Sequence, residues 1–355
     1  MRLKLLLKRG ALLAAANWPV IAIQFVAATT LQVLLAVPLV GAAILVAVLL
    51  GADLAELLQG SFRDIFTTIT SALLSEPVAL VAFGAAFAVA LFGGSILMFL
   101  VKGGTVDVLI AAHRTAGRVE REPITLDTLR TASTFTLDRF TGGCGRLFAS
   151  YLAVGLTLMA VYAISGAGYL SFLVYGYRAA TGRVLVLGWA FVAALSAVLL
   201  VAWITLVNLL YLLIQIAIAV DGGALTDAPM AVLRFIRADL GELAAVFGVV
   251  FALVVATTFA SALAWSGVGL IAFVPLVGLA VFPLQLAALL LRGLVFEYLG
   301  LTALGAYVAL YVEYVEHRDR ASNPDRLWDP ALSGLVPPVG SGFSRIGPPE
   351  GGPHK

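Results

Sequence analysis

Glu297 is the residue best placed for chemistry in a strongly apolar sequence. It follows Phe296 and precedes a run, 298–312, that carries no charge, and Arg292 lies five residues before it. An ionisable side chain inside an apolar span is the first place to look for a proton site or a ligand contact. The competing reading puts both residues near the outer interface, where they snorkel or pair with headgroups. Counting back about twenty residues, one membrane crossing, from Glu316 places Glu297 near that boundary. Uncharged polar residues could extend such a site: Gln24, Gln32, Asn208, Gln215 and Gln285 are spread over three apolar segments. They could line a narrow path, or form interhelical hydrogen bonds worth about 1 kcal/mol or less each. The candidate intramembrane polar site is therefore Glu297, Arg292, Asn208, Gln215 and Gln285.

Other chemistries find little support. Cys144 is the single cysteine, which excludes an intrachain disulfide and a cysteine-based metal site. His113, His317 and His354 are far apart in polar segments, so no metal is expected. Gly142-Gly143-Cys144-Gly145-Arg146 lacks the Lys-Ser/Thr of a phosphate-binding loop. His317-Arg318-Asp319 has Asn323 one position short of a kinase catalytic loop, with no glycine-rich loop or catalytic lysine upstream. No nucleophile–base pair stands out. The expectation is a protein without catalytic residues or cofactors, and without a nucleic-acid partner.

The elements that must position these residues are membrane spans. Apolar residues make up 61% of the 355 and charged residues 12%, against about 45–50% and 25% in a soluble domain. Mean hydropathy is +1.04. A span needs about 20 predominantly apolar residues. Six candidates emerge: 18–45, 77–101, 147–169, 184–214, 243–265, and a last one ending near Tyr314. Arg2, Lys4, Lys8 and Arg9 precede an uncharged run from 10 to 52. That run is too long for a signal-peptide core of about 7–15 residues, so the first span is expected to stay uncleaved. Pro38 is expected to kink its outer half.

Segment 267–291 is apolar enough to be a seventh span. The positive-inside rule arbitrates. With six spans, every Lys and Arg of the 22 except Arg63, Arg178, Arg183 and Arg292 falls on the cytoplasmic side. A seventh span weakens that bias. Segment 267–283 is then expected to be an apolar outer loop or a re-entrant turn, with both termini in the cytoplasm of a bacterial inner membrane. Tyr169, Tyr175, Tyr177 and Trp265 would mark the outer interface, and Trp18, Tyr311 and Tyr314 the inner one.

One unit recurs three times, over about 1–115, 125–222 and 227–316. Each opens with a basic amphipathic stretch, Leu7-Lys8-Arg9, Leu129-Arg130 or Leu233-Arg234, then a span, then a long returning helix. The returning helices, 77–113, 184–220 and 280–316, would each be roughly 55 Å long at ~1.5 Å per residue. That exceeds a hydrocarbon core of ~30 Å. Lys102-Gly103-Gly104 is expected to break the first of them, with Asp107 beyond it in solvent. Ala82, Ala86, Ala90 and Gly94 form a small-residue face suited to close helix packing, within the bundle or between protomers. Segment 53–76 has helical apolar periodicity and reads as a helix on the outer membrane surface or on the outer end of the bundle. From 317 to 355 the chain turns Pro/Gly-rich and is expected to be a disordered cytoplasmic tail.

Three stretches carry a resemblance. They are Lys102-Gly103-Gly104 with 106–112 and the basic loop to Pro123 and Leu129; Ile216-Ala217-Ile218-Ala219-Val220-Asp221-Gly222-Gly223 with 228–233; and Ala306-Tyr307-Val308-Ala309-Leu310-Tyr311. Together they are similar to uncharacterised bacterial membrane proteins related to the membrane domain of glycerophosphodiester phosphodiesterases, over about 5–316. The resemblance implies a six-helix, three-repeat membrane fold without an assigned reaction. The catalytic phosphodiesterase domain is absent, so its activity does not carry over.

The expected class is an all-α polytopic bundle acting as a scaffold or accessory in membrane or envelope physiology. The alternative is a transporter of an apolar or lipid-like substrate. An intramembrane lipid enzyme would need two convergent polar side chains at one depth. The expected partners are the bilayer and a membrane protein or second copy. Arg114, Arg118, Arg121, Arg130, Arg139 and Arg146 could also attract anionic lipid on the cytoplasmic side.

Overall fold

The computed structural model describes residues 2–50, 76–123, 125–181, 186–222, 225–272 and 275–322. Among them the regular structure is helical, without strands. The helices are α1 (Arg2–Ala16), α2 (Trp18–Leu50), α3 (Pro77–Thr115), α4 (Leu126–Ala132), α5 (Leu137–Thr181), α6 (Val186–Asp221), α7 (Ala228–Ala272) and α8 (Pro275–Ser322), with a 3-10 turn at Val119–Arg121. Six are long and apolar enough to cross a membrane: α2, α3, α5, α6, α7 and α8. The chain is a polytopic helical membrane protein, and each of the six spans expected from hydropathy lies on one of these helices.

The threefold pattern has a structural counterpart. Each unit opens with a short helix that ends in a break before the span. The breaks are Asn17 after α1, residues 133–136 after α4, and Asp239 within α7, whose φ of −123° and ψ of 31° leave the helical region. The returning helices α3, α6 and α8 run unbroken. α3 begins on Pro77 and α8 on Pro275, where a missing N–H costs nothing. α6 ends on Gly222 at φ +60°, whose N–H closes on the Ile218 carbonyl at 3.2 Å. That left-handed conformation suits glycine.

Two expectations need correction. α3 passes through Lys102-Gly103-Gly104 without interruption. The glycines serve close packing: a Cβ at Gly104 would lie 2.6 Å from the Phe140 carbonyl oxygen, and one at Gly143 would lie 2.6 Å from the Asp107 Cβ. Gly103, Gly104 and Gly143 thus let the backbones of α3 and α5 nearly touch, a role that small residues commonly play between membrane helices. Segment 267–283 is helical at both ends: α7 continues to Ala272 and α8 starts at Pro275, running through Pro283. The described parts of this segment are thus helical, and Pro283 lies within a helix rather than in irregular chain. A proline is tolerated within a membrane helix because neighbouring groups satisfy the freed carbonyl. α2 likewise carries Pro38 within a continuous helix.

Burial is unevenly distributed. Nearly all buried residues lie where α1, the C-terminal parts of α3, α6 and α8, and the N-terminal parts of α2, α5 and α7 come together. This packed end contains Leu13, Val20, Val108, Leu213, Phe235 and residues 301–312. The opposite halves are mostly exposed, with Val37, Val81, Phe191, Val198 and Phe259 on the surface. The small-residue face follows this division. Gly94 packs against Leu31 of α2, whereas Ala82 and Ala86 are exposed.

α1 is part of the packed end. It crosses α8 where glycines meet, and a Cβ on Gly305 would lie 3.0 Å from the Gly10 Cα. By packing, the chain divides into two units, 1–312 and 313–355. In the second unit residues 313–322 are helical, with Arg320 and Glu316 3.4 Å apart. The helix thus enters the stretch expected to be a tail. Residues 323–355, and the expected surface helix up to residue 75, lie outside the described residues.

Candidate polar site at the packed end

Hydrogen bonds between helices are concentrated at the packed end. Asn17, fully buried in the α1–α2 break, uses its whole amide. Its Nδ2 donates to the Leu13 carbonyl at 2.9 Å and the Ala132 carbonyl at 3.1 Å, and its Oδ1 accepts from the Thr134 and Phe135 N–H groups at 3.0 Å each. One side chain therefore satisfies backbone groups that two helix breaks would leave open. Next to it, Gln24 donates to Thr105 Oγ1 at 2.8 Å, joining α2 to α3.

Arg9 closes the same end. Its guanidinium donates to His113 Nδ1 (3.1 Å), to Glu120 Oε2 (2.9 Å) and to the His113 carbonyl (2.8 Å). A guanidinium can only donate, so His113 accepts at Nδ1 and carries its proton on Nε2. Lys8 donates to the Glu122 carbonyl at 3.1 Å. Basic residues that read as orientation charges are thus structural clamps on Val119–Arg121. Asp107, expected in solvent, is half-buried and paired with Arg146.

A second polar cluster spans α3, α5, α6 and α8. The Lys102 ammonium sits 5.2 Å from the Tyr211 ring centroid, a cation–π contact. Lys102 and Glu297 are near enough for their opposite charges to act on one another. Tyr151, fully buried, donates to the Gln215 carbonyl at 2.8 Å. The Gln215 side chain is 0% exposed, and neither of its amide atoms completes a hydrogen bond among the described residues. The neighbouring Tyr211 hydroxyl lies close to that amide but is likewise without a bonded partner there. Buried polar groups left open in this way commonly hold water or a small polar molecule.

The structure therefore joins two of the five residues expected to form a site. Glu297 and Gln215 meet the same cluster through Lys102 and Tyr211. Arg292 is exposed with its guanidinium 5.7 Å from the Phe296 ring, Asn208 is exposed and accepts from the Tyr162 hydroxyl, and Gln285 is half-buried. The sequence marks Lys102 only as part of a glycine break, and neither Tyr211 nor Asn17 as a polar-site residue. Lys102 could have been flagged as a lysine followed by an apolar helical run with a single acid; Tyr211 carries no local signal.

Apolar grooves lie between adjacent helices. The largest of three, about 450 Å³, runs between α6 and α7; others of about 360 and 290 Å³ lie between α2 and α3 and between α7 and α8. Arg292 lines the last of these. No group of three or more potential metal ligands occurs among the described residues. No family model, curated protein or solved structure matches the chain.

Proposed function

We propose that this chain is a non-enzymatic scaffold or accessory protein of a bacterial inner membrane, with both termini in the cytoplasm. The supporting observation is the division between a tightly bonded end and an open apolar half. The packed end, carrying Arg9, Arg114, Arg118 and Arg130, is assigned to the cytoplasmic face by the positive-inside rule. The polar clusters there fix helix positions, and none has the nucleophile, base and oxyanion donors of a catalytic site. The likeness to the phosphodiesterase-associated membrane domain fits this reading, since its motif residues Asp221 and Tyr311 serve the packing of that end.

A transporter of an apolar or lipid-like substrate is the second reading, favoured by the grooves between α6 and α7 and between α7 and α8. Reconstitution of the full chain in vesicles containing a fluorescent phospholipid separates the two. A scaffold leaves the rate of lipid exposure to an outside quencher unchanged. Acceleration that disappears in Glu297→Gln would overturn the scaffold reading and establish the transporter. The orientation is tested by adding Lys4→Cys or Arg178→Cys to a Cys144→Ser chain. In intact cells an impermeant maleimide should label the second and not the first.

A further inference from the structure

We infer that the groove between α6 and α7 is a binding site for an anionic phospholipid, with one acyl chain along the groove and the phosphate at Arg237. The inference stands whether the chain is a scaffold or a transporter. The groove walls are apolar, formed by Val198, Leu206 and Leu210 of α6 and by Leu240, Phe247 and Phe251 of α7, with Thr205 as a polar exception. Val198, Leu206, Leu240 and Phe251 are exposed, so the groove opens sideways, toward the place a bilayer occupies.

Its dimensions select the occupant. A volume of about 450 Å³ lies within the range of about 300–1,000 Å³ typical of small-molecule pockets. The lining residues on α6 run from Val198 to Leu210, a rise of about 18 Å at ~1.5 Å per residue. That is close to one leaflet, about half of a ~30 Å hydrocarbon core. With this length and its apolar walls, the groove suits a single chain of methylenes.

Charge marks which end holds the headgroup. On α7 the lining residues Leu240, Ala244, Phe247 and Phe251 share one helical face beyond the break at Asp239, and Ile236 lines the groove from before it. Arg237 follows Ile236 and precedes the Asp239 break, at the end of the groove nearest the packed end. It is exposed, and no carboxylate pairs with it among the described residues. Helical side chains lean toward the N-terminus of their helix, so the guanidinium extends away from the groove toward the packed end. A long cationic side chain there can place its stem on apolar surface and its charge at headgroup level. Arg234 lies a turn earlier and spends its Nε on the Met230 carbonyl at 3.3 Å. A guanidinium recognises phosphate by paired N–H donors. One zwitterionic lipid would fill the groove equally well but would gain less from the charge.

The test is native mass spectrometry of the full chain released from nanodiscs containing equal phosphatidylglycerol and phosphatidylcholine. The wild-type chain should retain phosphatidylglycerol preferentially, by about fivefold, the effect of one such arginine near a surface. Arg237→Gln should abolish the preference while retaining lipid. Ala244→Phe, which fills an exposed position on the groove wall, should remove the bound lipid of either type. Equal retention of the two lipids by the wild type, or an unchanged preference in Arg237→Gln, would overturn the assignment. So would retained lipid in Ala244→Phe, or a dimer that Ala244→Phe dissociates, which would make a second copy the occupant.

Discussion

The Tyr311 hydroxyl donates a 2.7 Å hydrogen bond to Asp221 Oδ2 across 90 residues of sequence. The Tyr311 ring also meets Phe235 edge-on at 5.2 Å, with 74° between the planes. The end of α6, the start of α7 and the middle of α8 are thereby tied at one point. Asp221 is exposed and Tyr311 is fully buried, so the bond reaches from the core to the surface. Tyr311→Phe keeps the ring packing and removes the bond. It should cost about 1 kcal/mol, read as a lower melting temperature in detergent. Asp221→Asn added to it should cost little more; fully additive losses would show that the two residues do not act together.

Asn17 should be the most sensitive polar position. Asn17→Ala removes four hydrogen bonds and leaves the Thr134 and Phe135 N–H groups open. A buried unsatisfied group costs about 1–3 kcal/mol, so a loss of about 3 kcal/mol is expected. Gln24→Ala, which removes one bond to Thr105, should cost 1 kcal/mol or less by the same melting measurement. A reversed order would refute this ranking.

The glycines of α3 and α5 offer a comparison with a built-in control. Gly104→Ala would press a methyl group against the Phe140 carbonyl and the Cys144 sulfur. Overpacking of this kind costs about 1–3 kcal/mol. Gly142→Ala, next to Gly143 but on the open side of α5, meets nothing within 4 Å and should be neutral or slightly stabilising. Equal effects in thermal denaturation would contradict the close crossing.

Arg9 should not tolerate lysine. Arg9→Lys keeps the charge but cannot present the planar fork that reaches Glu120 and both the ring and carbonyl of His113. Hydrogen exchange in 113–122 should accelerate in this variant. Protection equal to wild type would mean that charge alone holds the segment.

Gln215 gives a prediction of the opposite sign. Its amide makes no hydrogen bond among the described residues, so Gln215→Leu should leave the melting temperature unchanged or raise it. A loss of more than about 1 kcal/mol would show that a water or small polar molecule is bound at the amide.

Spans were legible in the sequence because crossing a bilayer demands long apolar runs, a requirement that each segment meets by itself. The threefold pattern was legible for the same reason, as each unit repeats a local order of elements. Contacts between units were not. Gly103-Gly104 reads as a break in isolation and becomes a crossing point only once Gly143 is known to face it. Asn17 looks like an ordinary turn residue until residues 132–135 arrive beside it. Lys102 was counted with the basic loop because it precedes that loop, although α3 carries it into contact with Tyr211, more than a hundred residues away. Glu297 and Gln215 could be nominated from their types, but the lysine that lies over Tyr211 and faces Glu297 could not be assigned without the fold.

The uneven burial has a mechanical consequence. The helices are buried mainly at one end, and the described residues of their other halves are largely exposed. A membrane that is thinner or thicker than their apolar length imposes a different tilt. With one end held by Asn17, Arg9 and the Gly10–Gly305 crossing, and α5 held to α6 by Phe172–Trp189 and the Trp203–Ser165 bond, a change in tilt is expected to fall on the remaining helix gaps. The groove between α6 and α7 is therefore expected to narrow or widen with bilayer thickness.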